Sequence, residues 1–319
     1  MHMITLDFCP LCEHQINGEI LSRIGRDQAA VSNVVCKDCG FVFQNPRLTS
    51  QEMIHLYRET DYMQRNYHAG IKQIHDAMMP LEEDRLNYLT PFVPNWPRVS
   101  LLEIGPGAGS FLRAAADAGC AVSAIEADPG GADFIADELH LPVVRAFFPD
   151  YVRQAKPSES YDVVVALHVF EHVAEPGEFL RAVSKMLKPD GLLFLEVPNI
   201  LRAHTSPEFP WFEIFDIGHI YSYSPSSLRL VLERGKSKIL DVTDVRIKGH
   251  NEPIRAVVQI KSDASVEDSE VSRSLVNEYF AVVEAVRKAK RKYHLRRVPY
   301  FFDRTARDIL RPLKRLVTG

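Results

Sequence analysis

The sequence has no long apolar run. No stretch approaches the ~18 residues that a membrane-spanning helix needs, and the longest core-like run, Val163 to Leu167, stops at His168. The amino terminus, Met1 to Pro10, has no basic region leading into an apolar one, so no secretory signal is visible and a cytoplasmic protein is expected. Basic charge is scarce over most of the chain: residues 1–285 hold 26 Lys+Arg against 40 Asp+Glu. Such an acidic body repels phosphates, which argues against nucleic acid as a partner. Only five cysteines are present, and no internal repeat is visible.

What is there fits a globular protein. At 319 residues the chain suits one large α/β domain with additions, or two domains. Apolar residues make up 46% and charged residues 25%, enough for a sizeable core and against global disorder. The scarce positive charge gathers at one end, with 12 Lys+Arg and 2 Asp+Glu in residues 286–319. Tyr300, Phe301, Phe302, Ile309, Leu310 and Leu313 are interleaved with these bases. That pattern suits peripheral contact with an anionic membrane surface, or a solvated helix packed on the acidic body.

Four cysteines form two Cys-x-x-Cys pairs, Cys9–Cys12 and Cys36–Cys39, and Cys120 stands alone. In a cytosolic chain this spacing points to a metal before a disulfide. Four thiolates close a tetrahedral shell, so the expected ion is a structural Zn2+. The expected organisation is a zinc-ribbon-like unit over 1–48, a helical segment over 49–97 on the substrate side, a main domain over 98–262, and a carboxy-terminal helix with a basic tail over 263–319. In the second segment the sequence predicts helices from Gln51 and over Asp76 to Leu89, before Pro91, Pro94 and Pro97 break the pattern.

A strand–turn–helix rhythm follows. Strands are predicted over Val99–Ile104, Ala121–Glu126, Val143–Phe147, Tyr161–Leu167 and Leu192–Val197. Helices are predicted over Ser110–Ala118, Gly131–Leu139 and Phe179–Leu187. This alternation predicts an α/β fold with a doubly wound, Rossmann-like parallel sheet. Lys238–Ile247 and Ile254–Ile260 are expected to extend one edge. Beyond a polar linker, Val276, Tyr279, Phe280, Val283 and Val286 follow helical spacing.

The glycine-rich turn Gly105-Pro-Gly107-Ala-Gly109 joins the first of these strands to a helix, where a ligand can approach the backbone and free N–H groups. Ser110 replaces the last glycine of a dinucleotide fingerprint. Glu103 disfavours a pyrophosphate and suits a cationic amine. The runs LLEIGPGAGSF, AIEAD, YDVVVALHVFEHV and LKPDGLLFLEVPN resemble, in order and spacing, the motifs of class I S-adenosylmethionine-dependent methyltransferases. The resemblance spans roughly Val99 to Val197. It implies S-adenosylmethionine as cofactor, with Gly105, Gly107 and Gly109 in the cradle and Glu103 at the methionine end. It further implies Glu126 on the ribose hydroxyls, Ala127, Asp128 and Phe147 beside the adenine, and Leu167 and His168 toward methionine or substrate.

The cysteine pairs, the run Phe-Val-Phe-Gln-Asn-Pro-Arg and the segment Ile217-Gly-His-Ile-Tyr-Ser-Tyr-Ser224 resemble bacterial methyltransferases of sugar and polysaccharide biosynthesis. Sugar C-methyltransferases with an amino-terminal zinc domain are the nearest of these. That resemblance implies a sugar or glycan acceptor. Gly218 stands where the C-methyltransferases have Glu, so O-methylation is as open as C-methylation. Methylation of a non-sugar small-molecule hydroxyl and a zinc-ribbon RNA methyltransferase are the alternatives. A base for the acceptor proton is expected at His219, with His168 and His172 as the other candidates. Tyr62, Tyr67, Tyr221, Tyr223 and Trp211 are expected to line the acceptor pocket.

Overall fold

The structure is a computed structural model; it describes residues 2–59, 70–93, 95–154, 160–202, 211–245, 252–260 and 271–295. The amino-terminal unit carries strands β1 (Met3–Ile4), β2 (Gly18–Ile24), β3 (Ala30–Cys36), β4 (Val42–Gln44) and β5 (Arg47–Leu48). Helices α1 (Ser50–Glu59) and α2 (Ile71–Leu89) follow. Next come β6 (Ser100–Ile104), α3 (Ser110–Asp117), β7 (Ala121–Glu126), α4 (Pro129–Asp133), β8 (Val143–Arg145), α5 (Phe148–Gln154), β9 (Tyr161–Leu167), α6 (Pro176–Met186) and β10 (Leu187–Pro198). The remaining described elements are β11 (Tyr221–Ser222), α7 (Pro225–Arg234), β12 (Ser237–Asp244), β13 (Pro253–Ile260) and α8 (Val271–Leu295).

The main sheet has the order β12-β13-β10-β9-β6-β7-β8. Strands β8, β7, β6, β9 and β10 run parallel, and β13 and β12 add an antiparallel edge. Val163 to Ala166 of β9 are all buried, because both faces of the sheet are covered. Alternate residues feed two cores: Val164, Leu193 and Leu195 on one face, Val163, Val165 and Phe194 on the other. The chain leaves β6 for β7 on one side and later returns to β9 on the other. That reversal opens a crevice beyond the carboxyl ends of these strands, where doubly wound sheets bind ligands. The α/β, Rossmann-like architecture is thus the one read from the sequence.

Several boundaries differ. β10 starts at Leu187 and carries an irregularity before Leu192. The strand expected to reach Phe147 stops at Arg145, and α5 takes over at Phe148. Helix α7 went unread, although Ser224 caps it in a reciprocal box with Ser227 and Pro225 follows. On α8, Val283 and Val286 are buried, whereas Phe280 is 64% exposed, since adjacent helical residues such as Tyr279 and Phe280 cannot share one narrow face. The side chains of residues 271–276 and everything after residue 295 lie outside the described residues, so the basic stretch is described only as far as its first part on α8, where Lys290 donates to the Leu21 carbonyl at 2.7 Å. Among the described residues no helix is long and apolar enough to cross a membrane.

The amino-terminal unit is not closed on itself. Its four-stranded sheet has the order β11-β4-β3-β2, and β11 comes from beyond the main parallel strands. Tyr221 pairs with Phe43 and Ser222 with Val42. Helix α8 covers the other side, with Val282, Val283 and Val286 packed against Val31, Val35 and Val42. The sequence segments 1–48, 98–262 and 263–319 therefore meet in common cores.

Candidate functional site

The turn after β6 needs its glycines. Gly105 has φ +65°, and a Cβ there would meet the Val169 side chain at 2.8 Å. Gly107 N–H donates to Glu126 Oε2 at 2.8 Å, and Asp128 N–H donates to Oε1 at 2.7 Å. Glu126 is buried at the end of β7, and burial pushes its pKa up to about 7 against the pull of these N–H donors. Glu103 is also buried, and its Oε2 has no hydrogen-bond partner. Burial first, then the nearby Glu82, raise the Glu103 pKa well above the carboxylate range.

These groups line a cleft of about 1160 Å³. Glu103, Gly105, Gly107, Glu126, Ala127 and Phe147 form one half of it. Leu167, His168, Glu171, His172, His219 and Trp211 lie on its walls as well. Gly109 was expected in the cradle, but it is absent from the cleft wall; a Cβ there would meet Ile135 and Leu139 at 2.9 Å. Its left-handed φ of +68° starts α3, and its missing side chain lets the next helix approach. The Asp128 carboxylate accepts from Gly131 N–H and caps α4.

The three histidines have different surroundings. His168, with 44% of its side chain exposed, lies 3.5 Å from Glu171 Oε1 and 3.3 Å from Glu196 Oε1. Burial pulls its pKa down, but these carboxylates outweigh that and lift it to about 9. Glu196 is further held by Arg85 and by Arg255, while Arg85 also grips Glu82. His172 Nδ1 contacts the Gly218 carbonyl at 2.9 Å, and His219 Nδ1 contacts the Ile214 carbonyl at 3.2 Å. A carbonyl only accepts, so each Nδ1 carries a proton, and in the neutral ring Nε2 is the nitrogen that keeps a lone pair. Burial first, then His172, lower the His219 pKa to about 4. Glu171 is 1% exposed, and neither carboxylate oxygen has a hydrogen bond.

Two expected pocket residues belong to the core instead. Tyr221 is buried, stacks on Phe41, and donates its hydroxyl to the Ala174 carbonyl at 2.9 Å. Tyr223 is fully buried and stacks on Phe170. Both follow His219 in the chain, with their rings turned into the core beneath it. Trp211 does line the cleft. Tyr62 and Tyr67 lie outside the described residues. Helix α1 supplies Met53, Ile54 and Tyr57 to the wall, and Arg26 arrives from the amino-terminal unit. The amphipathic start of α1 was visible in the sequence, but its orientation over the cleft was not.

The four paired cysteines converge. The Sγ atoms lie within 4.8 Å of one another, with Cys9–Cys39 at 3.6 Å and Cys12–Cys36 at 3.8 Å. A ZnS4 tetrahedron with Zn–S of ~2.3 Å has edges of about 3.8 Å, so the thiols fit such an ion. Gly40, with φ +71°, turns the second pair, and a Cβ there would strike the α8 backbone.

The sheet order and the glycine cradle define a class I methyltransferase, the S-adenosylmethionine-dependent kind. A family described as "Methyltransferase domain" matches residues 60–235, more than half the chain, and the protein belongs to that family. Among curated relatives, a "Ubiquinone biosynthesis O-methyltransferase" of Caulobacter vibrioides is 39% identical over 106 residues, which is 32% of this chain and 41% of that protein. One of the same name from Pseudomonas entomophila is 32% identical over 127 residues, 36% of this chain and 53% of that protein. The chain thus spans about two fifths to a half of the length of the curated relatives it matches. A solved S-adenosylmethionine-dependent methyltransferase from Aquifex aeolicus superposes with TM-score 0.45 at 19% identity, covering 60% of this chain and 97% of that one. These curated names overturn the expectation of a sugar or polysaccharide acceptor, which rested on the cysteine pairs and the segment 217–224.

Proposed function

We propose that the protein methylates a hydroxyl oxygen of a small non-sugar acceptor, with quinone precursors as the first class to test. The observation that carries this reading is one cleft holding both the glycine–Glu126 cradle and the Glu171–His172–His219 group. The names of the matching relatives support O-methylation and a quinone-related acceptor. The walls also favour an aromatic acceptor over a polyhydroxylated one, since Met53, Ile54, Tyr57, Phe148 and Phe179 line the cleft.

S-adenosylmethionine fits the cradle half. The buried, unpartnered Glu103 Oε2 suits its ammonium group, and each Glu126 oxygen retains a lone pair for a ribose hydroxyl. When bound, the cofactor supplies a methyl group on a positively charged sulfur. The protein then has to hold the acceptor oxygen in line and remove its proton. His168, whose pKa is lifted against the pull of burial by Glu171 and Glu196 to about 9, is assigned an electrostatic role beside them. The group facing the acceptor proton is assigned to Glu171, His172 and His219. Cys9, Cys12, Cys36 and Cys39 are assigned to a structural Zn2+, whose closed shell leaves no position for chemistry.

The test pairs calorimetric binding of S-adenosylhomocysteine with mass-spectrometric detection of methyl transfer to ring-hydroxylated aromatic acceptors. The expected result is binding and a methyl ether product. Binding with no transfer to any hydroxylated aromatic acceptor would overturn the acceptor class.

A further inference from the structure

We infer that Lys290 of α8 positions Trp211 as the acceptor-side wall of the cleft, which makes this pair a specificity determinant for a flat aromatic acceptor. The acceptor part rests on the O-methylation reading above; the hold of Lys290 on Trp211 does not.

Lys290 Nζ stands over the Trp211 ring, 4.6 Å from its centroid, and donates to the Leu21 carbonyl at 2.7 Å. An indole face is the strongest aromatic partner for a cation. Lys290 is half-buried, and burial lowers its pKa from the usual lysine value. Packing alone requires no charge at such a place, and an uncharged side chain would fill it at lower cost. The ammonium ties together α8, β2 of the amino-terminal unit, and the short helical turn Trp211–Ile214.

Other contacts fix the same turn independently. Tyr293 lies one helical turn beyond Lys290 on the same face of α8, and its ring meets Phe212 edge to face at 5.9 Å and 76°. Phe215 is fully buried 6.1 Å from the Trp211 ring and shares a core with Val282, Val283 and Val286. Phe212 and Phe215 are thus taken up by the interior, whereas Trp211 stays partly exposed and borders the cleft. Ile214 and His219, from the same stretch of chain, border it too. Trp211 therefore belongs to the acceptor half, apart from the glycine–Glu126 cradle. Lys290 is not on the cleft wall, so it acts on the acceptor through Trp211. An indole offers a large, flat, apolar surface, and one already held in place loses little freedom when a second ring binds against it.

The experiment uses the full chain carrying Trp96→Phe, which leaves Trp211 as its one tryptophan. Trp211 emission is quenched with acrylamide, then titrated with catechol in the presence of S-adenosylhomocysteine. Lys290→Met should raise the acrylamide quenching constant and weaken catechol binding by about two- to fivefold, the range of one cation–π contact. Lys290→Gln, which keeps a donor for the Leu21 carbonyl but no charge, should behave as Lys290→Met does. Lys290→Arg should restore the original values. With catechol as acceptor KM should rise while kcat and S-adenosylhomocysteine affinity hold. Unaltered quenching in the folded Met and Gln variants, or catechol affinity equal to that of a parent that binds it, overturns the positioning role. A joint fall of kcat and S-adenosylhomocysteine affinity would mark a general loss of structure and overturn it as well. A parent chain that binds no catechol instead overturns the acceptor reading, and the acrylamide measurement still decides whether Lys290 holds Trp211.

Discussion

Gln44 Nε2 donates to the main-chain oxygen of His219 at 2.9 Å, across 175 residues of sequence. The same amide donates to the Asp216 carbonyl at 2.7 Å. Gln44 is fully buried on β4, so the amino-terminal unit holds the turn that presents His219. Gln44→Leu should remove both bonds; the Asp216 carbonyl keeps the His219 N–H, but the His219 carbonyl loses its Gln44 donor, at a cost of about 1–3 kcal/mol. Turnover should fall more than S-adenosylhomocysteine affinity does. Thermal melts, kcat and calorimetry on one preparation check this; unchanged kcat would deny Gln44 a positioning role.

Glu126 accepts N–H donors from Gly107 and Asp128 and is the assigned partner of the ribose hydroxyls. Glu126→Ala should weaken S-adenosylhomocysteine binding by about tenfold or more, since hydrogen bonds to a charged group contribute ~1.5–3 kcal/mol. Calorimetry reads the effect directly. Unchanged affinity would remove Glu126 from the cofactor site.

The same carboxyl sets a pH dependence. Burial raises its folded pKa to about 7, so the proton is bound below that pH. The diol needs the carboxylate, so cofactor affinity should fall as pH drops through 7, by up to about tenfold per pH unit. Stability without ligand runs the other way: a raised folded pKa stabilises the fold at acid pH, and that contribution is lost as pH rises through about 7. Calorimetry between pH 5.5 and 8.5 (an assay range of about three units) separates this from a flat profile.

Cys36 lies at the end of β3 with its sulfur 3.8 Å from Cys12. Cys36→Ser should lower zinc content below one per chain and reduce the melting temperature, because metal supplies much of a small unit's stability. Elemental analysis is the check. Full zinc stoichiometry in the variant would reject the four-thiolate assignment.

The parallel strands were legible because each is a local run: Tyr161–Leu167 and Ala121–Glu126 came out with the boundaries read from the sequence. The cradle was legible for a similar reason, since Glu103, Gly105, Gly107 and Glu126 sit at strand ends and next to turns. Tyr221 and Tyr223 were misread because polarity alone does not reveal a stacking partner, and theirs are the distant Phe41 and the upstream Phe170. The unequal histidines were also hidden. Against burial, the raised pKa of His168 comes from Glu171, three residues on, and then from Glu196, which reaches it from the neighbouring strand, a proximity the sequence does not show. The acceptor class was misjudged because it was read in part from the cysteine pairs, and none of those cysteines lies on the cleft wall.

The pairing of Phe43 with Tyr221 also has a temporal side. Phe43 leaves the ribosome 178 residues before its partner strand. At about 5–20 residues per second, the amino-terminal sheet waits roughly 10 to 35 s for its last strand. Phe41 lacks the Tyr221 ring through that interval. The cysteine pairs can converge early, but the edge of β4 cannot be covered, so the nascent chain carries an open strand until most of the catalytic domain has been synthesised.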